Sequence, residues 1–201
     1  MDVLPLFPLR TVLFPDGLLE LKIFEARYLD LMARCLRERT PFGVVALRAG
    51  AEARGSGREP VELYEVGTLA DVIDVDSPQS GILFIRCRGG HRFALGATRQ
   101  ADDGLWLGHV ELVADDPEAT PSTARADLAK TLAETIAALA AQGARPFLEP
   151  HRFDSAGWVA NRWCEILDMP LDVRQRLMTL ADPHARLDVV DSLLRARQAS
   201  R

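Results

Sequence analysis

Cys87 and His91 stand four residues apart in Arg86-Cys87-Arg88-Gly89-Gly90-His91-Arg92, where a thiol and an imidazole could be imagined as a nucleophile–base pair. That chemistry needs the base within hydrogen-bond reach of the sulfur and a third group to orient the ring. No Asn or Asp is indicated as the orienter, and a strand running into Gly89-Gly90 does not force the two side chains together. A lone cysteine more commonly serves as a small buried hydrophobe. His109, His151 and His184 are scattered singly, and no Cys or His pair has zinc-ligand spacing, so no metal is expected. A G-x-x-x-x-G-K-[ST] phosphate loop is also missing: Lys22 and Lys130 are the only lysines, and neither follows a glycine. The expectation is a chain with no catalytic residue, no metal and no cofactor.

Binding is the remaining chemistry. Arg86 and Arg88 share one face of a strand by period 2 and are candidate phosphate contacts for an RNA-binding hairpin spanning residues 86–92. The bland reading of the same residues is a solvated strand face that discourages edge pairing. The net charge of −5 favours it, since a nucleic-acid binder needs a positive field. Nucleic acid is therefore not the expected partner. Phe14, in a turn, and Trp106, alternating with Gly108, are the candidate exposed aromatics for peptide contact, although core packing is the commoner fate of each type. Glu25 and Arg27 are two apart, so on a helix they do not face each other, and each is expected to anchor a loop or helix end. Tyr28 opens an apolar stripe and is expected in the core, as are Trp158 and Trp163.

Two kinds of element must position these residues. Residues 3–28 are too punctuated by Pro and Gly for one helix or a membrane span, and read as strand, turn, strand and helix start. Phe14-Pro15-Asp16-Gly17 fits a type I turn, and a helix is expected near residues 25–39. Residues 42–47, 61–64, 69–75 and 82–87 are strand-like; 49–60 reads as a flexible surface loop, 77–81 as a turn, and Gly89-Gly90 as a break. Residues 92–98 then pair with 105–113 across 101–104, completing a compact β-barrel-like domain over residues 1–114. Ala114-Asp115-Asp116-Pro117 reads as a linker. A helical bundle follows over 118–199, with stripes through Leu128, Leu132, Ile136 and Leu139, through Trp158 or Val159, Trp163 and Ile166, and through Leu187, Val190 and Leu194. Gly143 stops the first helix, Asp154 or Ser155 caps the second, Pro170 begins the third, and Asp182-Pro183 opens the last. No apolar run reaches the roughly 20 residues of a membrane helix. Met1-Asp2 begins no secretory signal, and three widely spaced cysteines suit reduced thiols, so the cytoplasm is the expected compartment.

The wording of the chain adds a resemblance. Pro5-Leu6-Phe7-Pro8-Leu9, Phe14-Pro15 and Ile23-Phe24-Glu25-x-Arg27-Tyr28 resemble the opening of the Lon amino-terminal, substrate-binding domain family. Phe42-Gly43-Val44-Val45, Val66-Gly67-Thr68-Leu69-Ala70, Gly89-Gly90-His91-Arg92-Phe93 and Asp182-Pro183-x-x-Arg186-Leu187 are similar to later family segments in order and spacing. The resemblance implies an α+β fold, a PUA-like β pseudo-barrel followed by an α-helical bundle. It implies a stand-alone, non-enzymatic module that recognises unfolded or misfolded polypeptide, with a separate protease or ATPase as a possible partner. It leaves the client and the oligomeric state open.

Overall fold

The computed structural model describes residues 2–50 and 61–199, and the loop expected at 49–60 lies almost wholly outside the described residues. The chain folds as two compact units, Met1–Ala114 and Asp115–Arg201.

The first unit contains β1 (Asp2–Leu9), β2 (Leu18–Ile23), α1 (Ala26–Glu38), β3 (Phe42–Ala49), β4 (Glu62–Leu63), β5 (Val66–Gln79), β6 (Ile82–Gln100) and β7 (Trp106–Leu112). β1, β7, β6, β5 and β3 are neighbours in that order, and a parallel pairing of β1 with β3 closes them into a ring. β2 adds to the far half of β6, so β2, β6 and β5 continue outward as a three-strand extension. Alternation along these strands puts Ile23, Phe42, Val44, Ile85 and Cys87 inside. Helix α1 buries Tyr28, Met32 and Cys35 among them, as the sequence stripe through Tyr28, Met32, Cys35 and Leu36 predicts, but Leu31 takes the fourth buried place and Leu36 is exposed. The Tyr28 ring stacks on Phe7 at 3.9 Å between centroids.

Three local expectations change. The turn at Phe14 closes with Gly17 N–H donating to the Phe14 carbonyl at 2.9 Å, but Asp16 has φ 59°. A positive φ at the third position makes it a type II turn, not type I, with Asp where Gly or Asn is usual. Gly89-Gly90 does not break the strand, because β6 runs unbroken from Ile82 to Gln100. Gly89 is there because the turn lies on it. Asp16 N–H donates to the Gly89 carbonyl at 2.8 Å and Gly89 N–H to the Gly17 carbonyl at 2.9 Å, and a Cβ on Gly89 would stand 2.1 Å from the Phe14 carbonyl oxygen. Finally, β5 continues past the expected turn start to Gln79, leaving Ser80-Gly81 as the tip, with Gly81 at φ 80°.

The second unit holds α2 (Ala126–Ala141), α3 (Ala156–Ile166), α4 (Leu171–Thr179) and α5 (Pro183–Ala199). Gly143 takes φ 83° just past α2, Ser155 accepts the Trp158 amide at 3.2 Å, and Asp182 accepts the His184 amide at 2.9 Å. Trp158 and Trp163 are buried, and the Trp163 indole donates to the Leu128 carbonyl at 3.1 Å. The centre of this unit is charged. Arg186, 1% exposed, donates from Nη1 to Asp116 at 2.7 Å and Asn161 at 2.8 Å, from Nη2 to Asp116 at 3.1 Å and the Leu180 carbonyl, and from Nε to the Leu177 carbonyl at 2.9 Å. Asp116 thus belongs to the folded helical unit rather than to a free linker.

Candidate functional site

A bulge decides the thiol–imidazole question. β5 and β6 are in register at Ala70–Gly89 and again at Thr68–Arg92, so β6 carries one more residue than β5 between those pairs. The extra residue reverses the inward–outward alternation. Cys87 is fully buried while His91 is exposed, and the pair is not assembled. Burial pushes the Cys87 thiol up to about 12, with nearby Cys35 and Asp71 adding to the shift, so it holds no thiolate near neutral pH. Among the described residues no cluster of His, Cys, Asp and Glu is arranged to hold a metal.

Glu25 and Arg27 correct another expectation. Glu25 precedes α1 in extended conformation (φ −78°, ψ 132°), outside the helical spacing that would separate the pair. Its carboxylate meets Arg27 Nη2 at 2.8 Å. Arg27 Nη1 also donates to the Gly104 carbonyl at 2.7 Å, which ties the start of α1 to the β6–β7 turn as an anchor. Phe14 is likewise not a surface aromatic. It is 0% exposed, because the turn that carries it folds down onto β6, and it presents nothing to a ligand. Trp106 is partly buried and packs beside the small cluster of Leu6, Val45 and Phe93.

Arg86 and Arg88 do lie on the outer face of β6, as period 2 requires, but that face is not basic. The register sets Glu20, Arg86 and Asp74 in one cross-strand row, Leu18, Arg88 and Asp71 in the next, and Lys22, Phe84 and Asp76 in the third. Arg86 Nε stands 3.3 Å from the Glu20 carboxylate. Each arginine is flanked by a carboxylate, so the hairpin offers a phosphate no uncompensated positive field.

What the extension offers instead is apolar surface. Its inner face carries the rows Leu19–Cys87–Val72, Leu21–Ile85–Val75 and Ile23–Leu83. Leu19, Leu21, Val72, Val75 and Leu83 back onto the core but are only partly buried. Elsewhere on the extension Ile73 is 45% exposed and Phe84, on the outer face, 43%, and Phe24 just past the end of β2 is 61% exposed. Exposed apolar side chains of this size grouped on one extension mark an interaction surface more than isolated ones do. The sequence signal for Phe84 is its parity: once Ile85 and Cys87 face inward, Phe84 must face out.

The chain thus combines a β-barrel, extended by a sheet that is apolar within and charge-balanced outside, with a separate helical unit. Its lineage is specific. Residues 3–196 match the model of the ATP-dependent protease La (LON) substrate-binding domain, and the chain belongs to that family. It is 28% identical over 193 residues to a Lon protease of Paraburkholderia phytofirmans, a match covering 94% of this chain and 24% of that protein. It is 32% identical over 121 residues to Lon protease 2 of Syntrophobacter fumaroxidans, covering 60% and 15% respectively. The chain therefore matches a quarter or less of the length of these relatives. Among solved structures it resembles a Lon N-terminal domain protein from Xanthomonas campestris, with a TM-score of 0.75, 31% identity and coverage of 96% and 98% of the two chains. It also shares its fold with the N-terminal domain of a Mycobacterium avium complex Lon protease, at a TM-score of 0.62, 16% identity and coverage of 96% and 97%.

Proposed function

We propose that this chain is a polypeptide-recognition module that holds exposed apolar segments of unfolded or misfolded proteins and itself cleaves nothing. The observation that carries the reading is the family match over residues 3–196. Phe84 on the outer face of the β2–β6–β5 extension and Ile73 on its β5 strand, both exposed apolar side chains, are the proposed contact surface, and Trp106 is a second candidate. A separate ATPase or protease would act on what the module holds. Three buried, unpaired thiols suit work in the cytoplasm, and among the described residues no helix is long and apolar enough to cross a membrane.

Apolar burial contributes roughly 25 cal/mol per Å², against the cost of ordering the segment, so a few hundred Å² supports micromolar affinity. The test is to titrate a chemically unfolded, apolar-rich protein and the same protein folded, at low and moderate salt. Binding of the unfolded form alone, insensitive to salt and weakened by Phe84→Ser or Ile73→Ser at unchanged stability, is the expected result. Salt-sensitive binding of RNA, lost in Arg86→Ala or Arg88→Ala, with no affinity for unfolded protein, would overturn it.

A further inference from the structure

The sheet leaves two long strand edges open among the described residues, and they are treated differently. Beyond its pairing with β3, which ends at Ala70, the outer half of β5 carries Asp71, Asp74, Asp76 and Pro78 and departs twice from regular register with β6. Charges, proline and bulges are how native sheets prevent edge pairing. β2 is less guarded. It pairs with β6 in six unbroken steps from Leu18–Arg88 to Ile23–Leu83 and holds no proline, and its two charges, Glu20 and Lys22, cancel. No other described strand pairs with it.

The sequence of this edge is complementary to itself. If two copies of Leu18-Leu19-Glu20-Leu21-Lys22-Ile23 are laid antiparallel about Leu21, Glu20 of each stands opposite Lys22 of the other. Leu19 then meets Ile23, Leu21 meets Leu21, and one residue further Phe24 meets Leu18. Facing residues in an antiparallel pair share a face, so the apolar inner rows stay apolar across the junction and the charged outer rows stay charged. Shifting the centre to Glu20 or to Lys22 sets like charges opposite each other, so a single register is favoured. Phe24, 61% exposed in one copy, gains a neighbour in the second.

We propose that β2 is a dimerisation edge, pairing with β2 of a second copy about a twofold axis at Leu21 to make one sheet across two chains. The inference is independent of polypeptide recognition. β2 offers six residues, against about 20–30 a side in a standard interface, so the dimer forms reversibly with concentration.

Sedimentation velocity over a concentration series tests it through charge. Wild type should pass from monomer to dimer. Lys22→Glu and Glu20→Lys each place two like-charged pairs across the junction and should weaken self-association by at least about tenfold. Mixed together, the two variants restore opposite charges at both pairs and should form a heterodimer, and the double exchange Glu20→Lys/Lys22→Glu should dimerise like wild type. If Glu20→Lys does not fold beside Arg86, Lys22→Glu alone must still be monomeric where wild type is dimeric. Wild type that stays monomeric, or Lys22→Glu that dimerises as well as wild type, overturns the proposal. So does a monomer whose β2 amides are protected from exchange only by an added extended peptide, since the edge would then take a foreign strand.

Discussion

Three thiols illustrate how burial sets chemistry residue by residue. Cys35, Cys87 and Cys164 are free and buried; desolvation raises all three, and carries Cys87 and Cys164 up to about 12. Between their ordinary value, near 9, and the folded value, the folded chain keeps protons that the unfolded chain releases. Stability from Cys87 and Cys164 is therefore complete below about pH 9 and falls as pH rises toward 12, by on the order of 1 kcal/mol per pH unit for each of the two. Urea unfolding at a series of alkaline pH values should show Cys87→Ala with a shallower loss than wild type by about that slope. An unchanged slope would mean that the thiol ionises without unfolding. The same burial explains why Cys87 is a core residue and not a nucleophile. That much is legible in the sequence, since an unsupported cysteine is usually a hydrophobe. Arg27 is only half legible: its anchoring role follows from its type, but its pairing with Glu25 depends on a helix that starts one residue later than Glu25.

At the scale of elements, helices are read more easily than strands here. Stripes of period 3.6 bounded by Ser155, Gly143 and Asp182-Pro183 signal their limits locally, and the structure places those ends within a residue or two. The strand β6 is harder, because its Gly89 answers a neighbour, Phe14, that lies 75 residues earlier in sequence. Nothing local distinguishes a glycine that ends a strand from one that lets another backbone touch it. The distinction is testable. Gly89→Ala puts a methyl 2.1 Å from the Phe14 carbonyl oxygen, a backbone atom that cannot swing aside as a side chain would. It should cost about 1–3 kcal/mol, as overpacking does, whereas Gly90→Ala, whose nearest neighbour lies at 3.5 Å, should cost much less. Denaturant midpoints of the two variants decide it; equal midpoints would mean that the turn yields and its close approach does not require Gly89. The bulge beside Gly89 defeats any period-2 reading that places Cys87 and His91 on one face. Phe14 is misplaced for a related reason: a turn read alone belongs on the surface, and only its hydrogen bonds to Gly89 show it folded inward.

Over the whole molecule, the change of pattern near residue 114 is visible in sequence, but the role of the residues that mark it is not. Ala114-Asp115-Asp116-Pro117 has the composition of a linker, yet Asp116 accepts two hydrogen bonds from Arg186, and Gly157 leaves room for it, since a Cβ there would come within 2.8 Å of Asp116 Oδ2. Arg186 can be fully buried only because this carboxylate, Asn161 and two backbone carbonyls satisfy its guanidinium. An arginine next to the Leu187–Val190 stripe looks like a surface residue when its partner lies seventy positions earlier. Removing one member of such a pair leaves a buried charge without its counter-ion. In the full chain, Asp116→Ala should therefore lose about 3–5 kcal/mol, while Glu118→Ala, two residues along and exposed, should stay within about 0.5 kcal/mol. Arg186→Ala should be as damaging as Asp116→Ala, and the double variant should cost less than the two single losses added together, because the second change removes a charge already stranded by the first. Denaturant unfolding of the four proteins measures the coupling. Strict additivity would show that Asp116 and Arg186 act apart, and that the acidic stretch after Ala114 is a simple linker after all.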